Sequence, residues 1–143
     1  MTKRTGSLAA CPNTTGSASV TWISMNDDVV GSVGTPEDRA SAIAWSSTQD
    51  ALLIDVHADD VSEVSITRSG LGSTPRAAHT VIRVAPFAKT TVVLTSEGEA
   101  SLSENVEIIA RDGSNVRVVH LGEWDNQTIH AASHFVRADK DAQ

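Results

Sequence analysis

The 143-residue sequence predicts an all-β fold whose larger part is the start of a β-solenoid, preceded by a small helix/strand segment. Three observations carry this. From Arg76 onward, short runs rich in Val, Ile and Thr recur with turns between them, and no helical periodicity interrupts them. Part of this stretch repeats. Val84-Ala85-Pro86-Phe87-Ala88-Lys89 followed by Val92-Val93-Leu94 lies over Ile109-Ala110-Arg111-Asp112-Gly113-Ser114 followed by Arg117-Val118-Val119, an offset of 25 residues, and a third copy starts at Val136. Aromatic residues are also scarce, with three Trp, two Phe and no Tyr, which suits thin, flat packing better than a thick core. Periods of roughly 20–50 residues in strand-rich sequence point to solenoids, propellers or arrays, whose units bury their apolar faces against one another.

Taken in order, residues 1–21 read as a disordered tail, because their Ser/Thr/Gly bias offers little apolar surface. Lys3 and Arg4 resemble the start of a signal peptide, but Leu8-Ala9-Ala10-Cys11 is too short for the apolar stretch and meets Pro12, so the protein is expected to be cytoplasmic. Residues 22–75 read as a helix/strand segment leading into the core. A helix is expected from Thr35 as cap and Pro36 as first helical residue to about Trp45. Strands follow at Ala51–Val56 and Val64–Thr67, then a loop at Gly70–Pro75 whose G-x-G lacks the rest of a phosphate-binding pattern. Residues 76–143 form the start of the solenoid, with strands at Thr80–Val84, Thr91–Thr95, Val106–Ile109, Val116–Leu121 and Ile129–Val136. Each copy turns tightly at a small residue, Ala88, Gly113 or Ala142.

Eleven basic against eighteen acidic residues give a net charge of −7, and this excludes a surface built for nucleic acid or an anionic membrane. No apolar run reaches the roughly 20 residues of a membrane span. Cys11 stands alone, so no intramolecular disulfide can form, and nothing nearby would activate its thiol. Asn13-Thr14-Thr15 and Asn126-Gln127-Thr128 match the glycosylation pattern by chance, as no secretory signal accompanies them.

Several residue groups invite a chemical reading. His130 and His134 fall on one face of a strand and His120 could approach from the run before, making a possible metal triad. No acid or Cys at suitable spacing completes it, so these read as ordinary strand histidines and no metal site is assigned. His57 and His79 have no local partner. Glu97, Glu99, Glu104 and Glu107 could supply a glycosidase-like pair, but only Phe87 and Trp124 are at hand as sugar platforms, and a solvated acidic edge is the simpler reading. Asp59, Asp60 and Glu63 form a loop charge run without calcium-loop spacing. No Ser sits in a nucleophile motif. Trp124 reads as packing at a solenoid corner rather than as a partner anchor. No catalytic or cofactor-binding residue is assigned.

Beyond these features, Asn105-Val106-Glu107-Ile108-Ile109, Asp112-Gly113, Val116-Arg117-Val118-Val119-His120-Leu121-Gly122-Glu123-Trp124-Asp125 and the later His130, His134, Arg137 and Asp141-Ala142 resemble SufD-like proteins of the SufB/SufD family of iron–sulfur cluster assembly, in their actinobacterial form. Gly34-Thr35-Pro36-Glu37-Asp38-Arg39-Ala40 resembles the approach to that family's core, and the likeness runs over residues 22–143. It implies a right-handed parallel β-helix acting as a non-catalytic scaffold with SufB and the ATPase SufC. The cluster or its precursors would belong to the full complex and not to a cofactor of this chain. The family's later coils and C-terminal helices have no counterpart here, so none of its functional residues carries over, and the chain is expected to be the N-terminal portion of such a protein. A carbohydrate-binding or carbohydrate-active solenoid is the alternative; it would want secretion and an aromatic-lined groove.

Overall fold

The computed structural model describes residues 11–16, 18–58 and 61–143. The chain is a β-solenoid of about three turns, made of two sheets facing each other. One sheet holds β1 (Cys11–Thr15), β4 (Val61–Arg68), β6 (Lys89–Gly98) and β8 (Asn115–Trp124), in that order. The other holds β2 (Ser19–Ser24), β3 (Asp50–Val56), β5 (Gly72–Val84), β7 (Ala100–Ala110) and β9 (Ile129–Ala138). Three coils, β3–β4, β5–β6 and β7–β8, stack in parallel register, and β9 opens a fourth layer.

The sequence dictates this layering through period-2 alternation. In β4 and β6 alternate residues are buried, so that Val64, Ile66, Val92 and Leu94 meet Leu52, Ile54, Val56, Ile82, Val84, Val106 and Ile108 from the opposite sheet. The sheet containing β5 and β7 is covered on its other face as well. Outward-facing Leu53, Val81 and Ile109 pack under Ile23, Val29, Val30 and Val33. Helix α1 (Arg39–Ser47) lies beside them and is tied to β7 by Asn105 Nδ2, which donates to the Ser41 carbonyl at 3.0 Å.

Several boundaries differ from those expected. The coils begin at β3, so residues 50–75 belong to the solenoid and not to a leader. The segment expected to be a disordered tail holds β1 and β2 from residue 11 on; residues 1–10 lie outside the described residues. These two strands pair antiparallel with β4 and β3, covering the first edge of each sheet, and Ala18, Val20 and Trp22 place an alternating apolar face on the core. An open edge of backbone donors and acceptors needs such a cover, and that gain outweighs the weak strand bias of Ser, Thr and Gly. The helix starts one turn later than expected. Asp38 is the cap, accepting from the Ser41 amide at 2.8 Å, while Ser41 Oγ accepts from the Asp38 amide at 3.3 Å. Asp59 and Asp60 lie outside the described residues.

The register also differs. Val84 pairs with Ala110, not Ile109, giving coil offsets of 28, 26 and 28 residues along β3, β5, β7 and β9. Each later coil turns through a left-handed residue at the same height: Phe87 (φ 61°), Gly113 (φ 66°) and Asp141 (φ 57°), one position before Ala88 and Ala142. The turn is closed by Ala88 N to Ala85 O, Ser114 N to Arg111 O and Ala142 N to Asp139 O. Stacking adds Phe87 N to Asp112 O and Gly113 N to Lys140 O.

A Cβ at Gly113 would lie 2.6 Å from the Phe87 ring and would hold an L-residue in the left-handed region. Gly113→Ala is therefore expected to cost about 2 kcal/mol, from the backbone penalty alone, read as a lower urea midpoint. An unchanged midpoint would remove the turn stack from the account of stability.

Candidate functional site

The interior is not uniformly apolar. Between the main core and a corner cluster of Leu71, Ala78, Ala100, Leu102 and Trp124 lies a polar layer built from inward positions of five strands. At its centre Glu104 of β7 is fully buried. Its Oε2 accepts from Arg68 Nη1 of β4 at 2.8 Å, and Arg68 Nη2 donates to Thr80 Oγ1 at 2.9 Å. A buried charge pair persists only where the remaining donors and acceptors are also satisfied, and this one holds two coils together.

Glu104 Oε1 faces β8 of its own coil and β9 of the layer after it, where three histidines converge. His130 Nε2 of β9 donates to it at 2.7 Å, and His120 Nε2 of β8 stands 3.3 Å away. The His120 Nε2 atom is buried without a hydrogen-bond partner. On the far side of that ring, His120 Nδ1 lies 3.3 Å from His134 Nε2, and the two rings stack 11° from parallel. Trp124 packs on His130 with centroids 4.9 Å apart. His120, Gly122, Trp124, His130, Ala132 and His134 line a cavity of about 420 Å³ open to solvent.

The electrostatics follow from these contacts. Burial pushes the Glu104 carboxyl up, but the imidazoles of His120 and His130 and the charge of Arg68 outweigh it and hold the group far below the ordinary carboxylate range. Burial, then repulsion from His120, lowers the His134 pKa from its ordinary value, against a smaller pull from Glu104.

Of the three histidines singled out from sequence, His120 and His130 share one carboxylate oxygen, while His134 stands behind His120. The acid missing from the local sequence is Glu104, delivered by the coil before. Glu104, His120 and His130 each offer one donor atom, all within 4.8 Å of one another. Arg68 and Glu104 carry no local signal that would join them, being 36 positions apart.

The expectation of a solvated acidic edge fails at two of its four residues. Glu107, on the opposite face of β7 from Glu104, is also buried. It accepts from His79 Nε2 at 2.9 Å and from the Gly31 amide at 2.9 Å. His79, unassigned from sequence, thereby fastens the loop over the outer face, with Trp45 edge-on to its ring. The two carboxylates point to opposite faces and form no glycosidase pair. Phe87 and Trp124 stand at opposite ends of the coil, so no sugar platform is built.

Removing the Glu104 charge strands Arg68 in the interior. Glu104→Gln is expected to cost about 3–5 kcal/mol, measured by urea unfolding, and a cost under about 1 kcal/mol would show that water relieves Arg68. A second expectation concerns pH. Both groups titrate lower in the folded state than their ordinary values of 6.5 for His134 and 4.5 for Glu104. The unfolded chain therefore binds protons more readily, and stability falls as pH drops. The His134 contribution is full above about 6.5 and declines below it; that of Glu104 is full above about 4.5 and declines below that. Thermal unfolding across pH 3–8 checks this, and His134→Val should remove the upper step alone.

The comparisons with known proteins agree in kind. The SUF system FeS cluster assembly SufBD core domain matches residues 66–143. An iron–sulfur cluster assembly SufBD family protein of Mycobacterium tuberculosis is 31% identical over 141 residues, covering 90% of this chain and 36% of that protein. Another, from Mycobacterium leprae, is 30% identical over 123 residues, covering 84% of this chain and 31% of that protein. The chain thus spans about a third of the length of the curated relatives it matches. No solved structure matches it.

Proposed function

Since the chain belongs to the SufBD family of iron–sulfur cluster assembly, we propose that it serves there as a SufD-like, non-catalytic scaffold subunit, working in the cytoplasm with a SufB-like protein and a SufC-like ATPase. The cluster or its precursors are the cargo of the assembled complex. The observation that carries this reading is the coincidence of the family match, residues 66–143, with the parallel coils from the last residues of β4 through β9. A scaffold needs a rigid surface and an edge able to accept a neighbour. Rigidity comes from the double covering of the sheet holding β5 and β7.

The edge is supplied by β8 and β9, the last strands of their sheets, which carry exposed Leu121, Ile129 and Val136. Ile129 and Val136 are 72% and 62% exposed although Ile108, the residue stacked beneath Val136, is buried. A further β layer, from the same protein or a partner, would cover them. Among the described residues no helix is long and apolar enough to cross a membrane.

Anaerobic co-expression with SufB-like and SufC-like proteins is expected to recover a complex on a tag carried by this chain. Val136→Asp at the apolar edge should lower its recovery about tenfold, the effect of losing one buried interface contact of moderate weight. Absence of any association under anaerobic conditions would overturn the scaffold reading.

A further inference from the structure

Each position of β8 and β9 stacks on the equivalent position of β6 and β7, so the columns of inward side chains can be read directly. Three columns change character together. Leu94 is followed by His120, Leu102 by His130 and Val106 by His134. In a solenoid interior each such exchange replaces apolar packing with a polar ring that must find a partner. Around the same point Glu104 sits in a column between Ala78 and Ala132, whose small side chains leave room for neighbouring rings to reach its carboxylate.

We propose that Glu104, His120 and His130 bind a divalent first-row transition-metal ion inside the solenoid, with His134 positioning His120 for it. The donor set is two imidazoles and one carboxylate, a combination that suits iron, cobalt and zinc. Around a tetrahedral ion with bonds of about 2.0 Å, donor atoms stand about 3.3 Å apart. His120 Nε2 already lies 3.3 Å from Glu104 Oε1, and His130 Nε2 lies 2.7 Å from it, so small ring shifts admit an ion.

The surroundings of the donors match what a metal requires. Glu104 Oε2 is held by Arg68, which leaves Oε1 as the single donor oxygen and fixes the carboxylate in place. His134 occupies Nδ1 of His120, directing the opposite nitrogen, buried and without a hydrogen-bond partner, toward Glu104. His120 and His130 also line the open cavity, which provides an entry path to the donors. The neighbouring guanidinium opposes the ion's charge and weakens its binding relative to the same donors without it. The proposal stands on this geometry alone and does not need the partner assignment above.

Titration of the purified 143-residue chain with Co²⁺ tests it. One ion per chain is expected, with visible d–d absorption from the mixed nitrogen and oxygen donors. His120→Leu and His130→Leu, which restore the residue types of the preceding coil, should each weaken binding at least a hundredfold, and circular dichroism should show both folded. His134→Val should weaken it about ten- to hundredfold, the usual cost of losing an outer partner of a ligand. Exposed His57→Ala should leave binding unchanged. Should a variant fail to fold, Zn²⁺-induced shifts of the His120 and His130 ring nitrogens in the NMR spectrum of the unaltered chain give the same answer. No binding at millimolar Co²⁺, binding that survives His120→Leu and His130→Leu, or ring nitrogens unmoved by Zn²⁺ would each overturn the proposal.

Discussion

Stacking in register, Val84 over Ala110 over Ala138, is the constraint on which the other features of the molecule depend. A parallel ladder gives each residue a neighbour of the same orientation directly above and below it, so a side chain's surroundings are set mainly by its column. The column through Ile54, Ile82, Ile108 and Val136 builds an apolar wall, and the left-handed turn at Phe87, Gly113 and Asp141 returns each coil at the same height. Coil lengths vary between 26 and 28 residues without disturbing the columns, because the register shift between Gly72 and Pro75 in β5 takes up the step to 26 and the longer turn between β8 and β9 the step back to 28. A shift of one residue would not be absorbed, since it would exchange the core-facing and outward-facing sets.

That sensitivity explains what could and could not be read from the amino-acid sequence. Strands such as β6, with one face in the core and one toward solvent, alternate cleanly and were legible. β7 does not alternate, because Val106 and Ile108 face the core while Glu107 and Ile109 face a covering layer. A strand buried on both faces reads as a continuous apolar run. Bulky Ile109 then resembles the natural partner of Val84, although it faces outward, and the repeat aligns one residue short. The capping strands were hidden for the opposite reason. Ala18, Val20 and Trp22 alternate, but they do so within a stretch whose composition resembles a flexible tail. In the candidate site, the common face of His130 and His134 was legible from spacing. The role of Glu104 was not, because a carboxylate looks solvated until its column and its Arg68 partner are known.

The polar layer raises a separate physical question. Burying Glu104 and Arg68 in a narrow interior is unfavourable unless the pair is nearly fully hydrogen-bonded, and Arg68 Nε remains without a partner. Apolar residues of similar volume could fill the same space, as Leu94 does on one side of the layer and Leu102 on the other. Stability alone therefore does not account for the layer. The same reasoning applied to His79 and Glu107 gives a different answer, because that pair closes the contact between the sheet and the covering loop through the Gly31 amide. That pair has a structural task on the outer face, whereas the inner layer ends in an open cavity.

The direction of the layer sharpens this contrast. From Thr80 and Arg68 in the inner coils it passes through Glu104 to His120, His130 and His134, so side-chain exposure rises from 3% at Arg68 to 20% at His130. The charged, fully desolvated members lie deepest and fix the geometry. The imidazoles lie outermost, where His120 Nε2 makes no hydrogen bond and an open cavity is within reach. Only on β8 and β9 do the Leu94, Leu102 and Val106 columns become histidine, and two of the three histidines approach the one carboxylate oxygen that Arg68 leaves available. Two of these columns carry a polar residue earlier, Arg76 before Leu102 and Thr80 before Val106, but only at β8 and β9 are all three polar together. The proposed metal site rests on this change at three columns, two of whose histidines face one Glu104 oxygen while the third, His134, backs His120.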